Sequence, residues 1–288
     1  MDVGMTLPSG VTPGVFAKHA EDAGLESVWT GDHLISVVPR LDSMLVLAQA
    51  AGATTRLRVG FGVLILALRQ VVWAAKQIAS LQQLSGDRVV LGVGTGGAVH
   101  GDAAWRAVGV PFSERTKHTY ASLALLPDLI AGRAADVDGT SVTLAPGATV
   151  PPILIGGGLP AMRRAAAHGF GWYPAFLPPG DLAAGIREFA DRAGRQPEVT
   201  AQVAMGLGGG VDLDAQVRML TGYGMSEEYA RSGLLAGDRD LAAEHLDALF
   251  AAGATRVVGL PFGGDWREQA DLLADASRLV AGAGTGRR

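Results

Sequence analysis

The residues best suited to chemistry sit in short polar or glycine-rich breaks that follow aliphatic runs. "WTGDHL" at 29–34 sets Asp32 and His33 side by side at the end of a presumptive strand. Histidine exchanges protons near neutral pH and a neighbouring carboxylate can orient its ring, so the pair suits general acid–base work. The competing reading makes Asp32 a turn cap and His33 a merely exposed side chain. "LGVGTGGAVHG" at 91–101 brings Gly92, Gly94 and Gly97 into a formal G-x-G-x-x-G match, with Thr95, Gly96 and His100 beside them. That fingerprint belongs in a first strand–turn–helix unit, and Gly101 interrupts any helix here. These glycines instead mark a close approach of backbone to something, to which Thr95 and His100 could donate hydrogen bonds. "PPILIGGGLPAMRR" at 151–164 places Gly156, Gly157 and Gly158 between a buried strand and a helix. Free N–H groups at such a junction, reinforced by the helix dipole, hold a phosphate without a dedicated side chain. A tight turn alone needs fewer glycines.

Other chemistries find no support. No serine lies in a G-x-S-x-G elbow, and the six histidines show no H-E-x-x-H or other metal spacing. The chain has no cysteine, which removes disulfides, thiolate metal sites and a cysteine nucleophile. Its net charge of −4 gives no reason to expect nucleic acid or an anionic membrane as partner. The longest uncharged apolar run, 59–68, has about half the length of a membrane-spanning helix, and no secretory signal is legible at the start. A soluble cytoplasmic protein acting on a small organic molecule is the expectation.

Positioning these residues requires a repeated scaffold. Eight aliphatic runs read as strands: 3–7, 26–31, 57–66, 87–94, 151–156, 170–174, 199–208 and 255–264. Amphipathic stretches alternate with them, "VDGTSVTLAP" at 137–146 reads as an inserted hairpin, and a helical region is expected over about 212–235. The runs are continuous rather than alternating, as in parallel strands buried on both faces. Eight such units in 288 residues predict a single (β/α)8 TIM barrel over 1–282, with 283–288 as a flexible tail. Function is then expected at the C-terminal strand ends, where all three motifs fall. The loop at 97–113 and the loop "YPAFLPPGD" are expected to shape the pocket.

Read together, "EDAGLESVWTGDHL", "LRVGFGVLIL", "IASLQQLSGDRVVLGVGTG", "PPILIGGGLPAMRRAAAHGFGW" and "HLDALFAAGATRVVGLPFGGD" resemble the luciferase-like oxidoreductase superfamily. The "DH" pair is most similar to its deazaflavin (coenzyme F420)-dependent branch. The resemblance implies that Gly62 and Val63 form a third-strand bulge, often with a non-proline cis peptide, that backs the tricyclic ring. It implies that Thr95 and Gly96 contact the cofactor, that His100 is a further polar contact, and that Gly156, Gly157 and Gly158 seat the phosphate. His33, oriented by Asp32, would handle a proton near the site of hydride transfer. The chain departs from that branch at Gly97, where a glutamate is usual, at Val37, where an aromatic is common, and at Phe170, where an aspartate is usual. Two alternatives therefore stand beside the deazaflavin expectation: a monooxygenase using reduced FMN and oxygen, and a cofactor-binding barrel with reduced catalysis. A deazaflavin tail would call for a basic side chain near the mouth, for which Arg40, Arg69, Arg163 and Arg164 are candidates. Homodimerisation through the helices after the second and third strands is also implied.

Overall fold

The computed structural model describes residues 1–36, 38–97 and 101–285. Strand β1 (Asp2–Thr6) leads to α1 (Pro13–Ala23), which starts on a proline and ends on Gly24 in the left-handed conformation. Strand β2 (Ser27–Thr30) leads to α2 (Ser43–Gly52), whose first amides, Met44 and Leu45, donate to the Asp42 carboxylate. The chain continues through β3 (Arg58–Ile65), α3 (Val71–Ser85) and β4 (Val89–Gly94). A short α4 (Ala103–Ala107) precedes α5 (Arg115–Ile130) and the antiparallel hairpin β5 (Ala135–Val137) and β6 (Thr140–Val142). Asp138 and Gly139, both at positive φ, turn that hairpin, as an Asp-Gly pair does best.

Next come β7 (Ile153–Gly156), α6 (Leu159–His168), β8 (Gly171–Tyr173), α7 (Pro179–Ala193) and β9 (Thr200–Leu207). The chain closes with α8 (Leu213–Gly222), α9 (Glu227–Ser232), β10 (Leu235–Gly237), α10 (Arg239–Ala251), β11 (Arg256–Pro261) and α11 (Trp266–Thr285).

Nine parallel strands form one curled sheet in the order β10-β9-β11-β1-β2-β3-β4-β7-β8. Edge strand β8 also meets β9 through isolated parallel bridges at Trp172–Val199 and Ala175–Gln202. All eight expected runs are strands. The ninth, β10, falls between the region expected to be helical and the helix after it, and α4 lies in what was expected to be loop. Both are short: three residues and five residues leave too little periodicity to detect.

The sheet interior holds Trp29, Val90, Leu154, Tyr173 and Val258, with the Trp29 and Tyr173 rings 5.4 Å apart. Gly60 has no side chain because Trp29 lies there; a Cβ would stand 2.3 Å from the indole. Below them, at the N-terminal strand ends, buried Arg256 pairs with Glu26 at 2.9 Å and donates to Thr200. That end is closed by a structural ion pair, which leaves the C-terminal ends open for function.

Candidate active site

The centre of the site is a break in the β3–β4 ladder. The strands pair through Phe61–Leu91 and resume at Leu64–Val93, so Gly62 and Val63 on β3 oppose Gly92 alone on β4. Two residues against one make a β-bulge, which pushes the extra backbone out of the sheet. The Gly62–Val63 peptide bond is cis. Three glycines make room for the Val63 side chain. A Cβ on Gly94 would lie 2.4 Å from Val63 Cγ2, on Gly156 2.7 Å from Val63 Cγ1, and on Gly92 3.2 Å from the same methyl. The close approach that the strand-4 glycines signalled is therefore to a neighbouring side chain of the chain itself.

Above the bulge opens a cavity of about 450 Å³. Asp32, His33, Gly62, Val63, Thr95, Gly96, Gly156 and Gly157 all line it. The structure thus brings together strand ends that lie up to 125 positions apart in the chain, from Asp32 to Gly157. Gly158 stands just behind them as the residue capping α6. His100 and Val37 lie outside the described residues.

Asp32 is deeply buried, and its carboxylate is fully occupied. Its Oδ1 accepts from Arg69 Nη2 at 2.9 Å and from Ser43 Oγ at 3.0 Å. Its Oδ2 accepts from the Ile65 amide at 3.0 Å and from Arg69 Nη1. Burial pulls the Arg69 guanidinium down, but Asp32 and Asp42 more than offset it, so its pKa is raised and it stays charged. The pair ties the segment after β2 to the end of β3, immediately past the bulge. Replacing Asp32 by asparagine should cost about 2–4 kcal/mol, because a nearly buried guanidinium loses its main partner. Urea unfolding checks this, and an unchanged midpoint would remove the pair from the site's framework. His33 lies next along the chain, partly exposed and facing the cavity.

The glycine turn after β7 offers fewer free donors than its sequence suggests. The Gly157 amide donates to the Tyr173 carbonyl at 3.1 Å, and Pro160 has no N–H. The amides of Gly158 and Leu159, which open α6, have no partner among the described residues. Of the four candidate arginines, Arg69 is held by Asp32, Arg163 pairs with Glu188 at 2.8 Å, and Arg164 lies over the Tyr120 ring. Arg40 lines the cavity with neither ion pair nor hydrogen bond among the described residues.

The two loops expected to shape the pocket supply Trp105, Tyr173 and Phe176 to its lining, whereas Thr6 was not anticipated. Trp105 on α4 is buried against Gly96, where a Cβ would meet its ring at 2.6 Å. Phe176 holds a positive φ of 62° at the rim, an outlier for a bulky residue, and its amide donates to the Gln202 carbonyl. Thr6 Oγ1 and the Tyr173 hydroxyl, both buried at the cavity wall, have no hydrogen-bond partner among the described residues. Burial pushes the Tyr173 phenol well above its ordinary pKa, so it stays neutral. No group of histidines and carboxylates among the described residues could hold a metal. No helix among them is long and apolar enough to cross a membrane.

A family model for luciferase-like monooxygenases matches residues 14–211. A Mycobacterium tuberculosis (strain ATCC 25618 / H37Rv) protein is 33% identical over 171 residues, covering 54% of this chain and 57% of its own length. The chain thus spans a little over half the length of the curated relatives it matches first. Among solved structures, an F420-dependent secondary alcohol dehydrogenase in complex with an F420-acetone adduct superposes with a TM-score of 0.81. The match covers 97% of this chain and 98% of that one at 16% identity. The oxygenating constituent of 3,6-diketocamphane monooxygenase from Pseudomonas putida, in complex with FMN, has a TM-score of 0.75. It is 18% identical, with 95% of this chain and 96% of that one covered. At such identities the likeness is one of fold.

Proposed function

The chain belongs to the luciferase-like monooxygenase family, and from that premise we propose that it is an oxidoreductase moving a hydride between a deazaflavin of the F420 class and a small organic substrate. The eight strands other than β10 are taken as a closed (β/α)8 barrel, joined by the β8–β9 bridges. The observation that carries the reading is the Gly62–Val63 bulge, an apolar wall projecting into a cavity that His33 also lines. A flat ring system fits such a wall, and the unpartnered amides of Gly158 and Leu159 fit a phosphate at its far end. The neighbours named above carry both F420 and FMN, which supports a tricyclic cofactor of one kind or the other.

In this reading a bound deazaflavin supplies or takes up the hydride. Val63 backs its ring, Thr95 and Gly96 border it, and the α6 amides hold its phosphate. His33 delivers a proton to the substrate oxygen or removes one from it. Asp32, spent on Arg69, is a positioning residue: it holds the segment that carries His33 against β3. With Gly97 where a glutamate could have stood, His33 is the one histidine that lines the cavity among the described residues.

The second reading, an FMN-dependent monooxygenase, is favoured by that same glycine, since a site short of acids suits oxygen chemistry on a reduced flavin. Turnover separates the two. Anaerobic oxidation of reduced deazaflavin by simple ketones supports the first, whereas oxygen uptake with reduced FMN and none of that oxidation supports the second.

A further inference from the structure

A second cavity, of about 480 Å³, opens beside the first, and Arg40 lines both. It is built on the segments that follow β1 and β2. Its walls are mainly apolar, from Leu7, Val11, Leu41 and Val46, and Arg40 is its sole charged lining residue among those described. We infer that the substrate is an apolar carboxylic acid bearing the reacting carbonyl or hydroxyl, with its body in this second cavity and its carboxylate on Arg40.

Charge and position carry the inference. Among the described residues Arg40 has no hydrogen bond or ion pair, and Asp32, the one carboxylate among those lining either cavity, is neutralised by Arg69. An uncompensated guanidinium between two mostly apolar hollows is a site for an anion, and a carboxylate matches its fork. The anion could belong to the substrate or to the cofactor's own tail. Strand order favours the substrate. In the sheet, β7 stands three strands from β2 and four from β1, so the α6 amides proposed for the cofactor phosphate lie across the mouth from Arg40. The approach to Arg40 from His33 is apolar as well: Leu34 and Ile35, 56% and 45% exposed, both line the first cavity. An exposed leucine and isoleucine beside a free arginine suit a molecule that is greasy along its length and charged at one end. The inference rests on the deazaflavin reading for where the cofactor phosphate lies and for the reacting carbonyl or hydroxyl, while the apolar body and the carboxylate come from the cavities themselves.

The test uses octanoate and octanamide, of equal length and differing in charge, titrated calorimetrically into the protein. Octanoate should bind about tenfold more tightly than octanamide, as expected for one charge-assisted pair at a partly solvated site. Arg40→Gln should abolish that preference and Arg40→Lys should keep part of it. Deazaflavin affinity, measured in parallel with and without its phosphate-bearing tail, should be unchanged in Arg40→Gln. Equal binding of the two probes, binding of neither, or a preference that survives Arg40→Gln overturns the inference. So does a roughly tenfold loss of tailed deazaflavin alone in Arg40→Gln, which would give Arg40 to the cofactor. Failure of the deazaflavin reading would show in the cofactor titration and leave the octanoate comparison standing.

Discussion

His33→Ala is expected to lower turnover by about 10²–10⁴-fold, the usual worth of a positioned general acid or base. The cofactor dissociation constant should stay within about twofold, because in this account the ring rests on the bulge and the phosphate on the α6 amides. The expected loss is large because, among the described residues, none nearby can substitute. Asp32 is bound on both oxygens, Gly97 carries no side chain, and the buried Tyr173 phenol is pushed too high to release a proton near neutral pH. His33→Gln should be as inactive as the alanine variant, since an amide keeps a polar contact but not a titrating group. A stopped-flow comparison of hydride transfer with the cofactor affinity of each variant checks this. Turnover within threefold of the parent would take the histidine out of the mechanism.

The second large effect concerns the wall behind the ring. Alanine at Gly94 or Gly156 would place a methyl 2.4 Å or 2.7 Å from the Val63 side chain, far inside contact distance. Each variant should lose about 1–3 kcal/mol of stability through overpacking, and should bind cofactor more weakly because the bulge has to move. The clash is with one isopropyl group, so Val63→Ala in the same chain should recover most of the lost stability of either glycine variant. Gly92→Ala is different. Its methyl would stand 2.2 Å from the Phe61 carbonyl oxygen, which is backbone, and trimming Val63 cannot relieve that. Urea unfolding of the double-mutant cycles reads the coupling directly, with about 0.5–3 kcal/mol expected for the pairs in contact. Additive losses at Gly94 and Val63 would show that the bulge does not rest on these glycines.

How far the sequence leads can be judged residue by residue. The eight strands were legible because each is a continuous aliphatic run ended by glycine or a polar cluster, as Thr200–Leu207 shows by being buried throughout. The bulge at Gly62–Val63 came from resemblance rather than periodicity, since a glycine within a strand signals close approach without saying to what. Strand 4 shows the same ambiguity: Gly92 and Gly94 signalled a close approach, and Gly94 makes room for Val63 while Gly92 makes room for Val63 and, more tightly, the Phe61 carbonyl. The partner of Asp32 was hidden for another reason. Arg69 lies 37 positions away, and no local pattern distinguishes a carboxylate aimed at an arginine from one aimed at the next histidine. Gly156 and Gly157 of the glycine turn line the cavity, yet the Gly157 amide belongs to Tyr173, a pairing set by the β7–β8 register. Trp105 and Tyr173 were expected only as parts of pocket-shaping loops, because an aromatic in a loop or short strand reads as core until the fold shows which wall it forms.

The central claim is that the bulge and the α6 amides together seat a deazaflavin. Fluorescence titration of the purified protein with oxidised coenzyme F420, and separately with FMN, tests it most directly. The account predicts F420 binding on the order of micromolar, at least about tenfold tighter than FMN, and weakened when the phosphate-bearing tail is removed. Preference for FMN, or binding of neither, would contradict it.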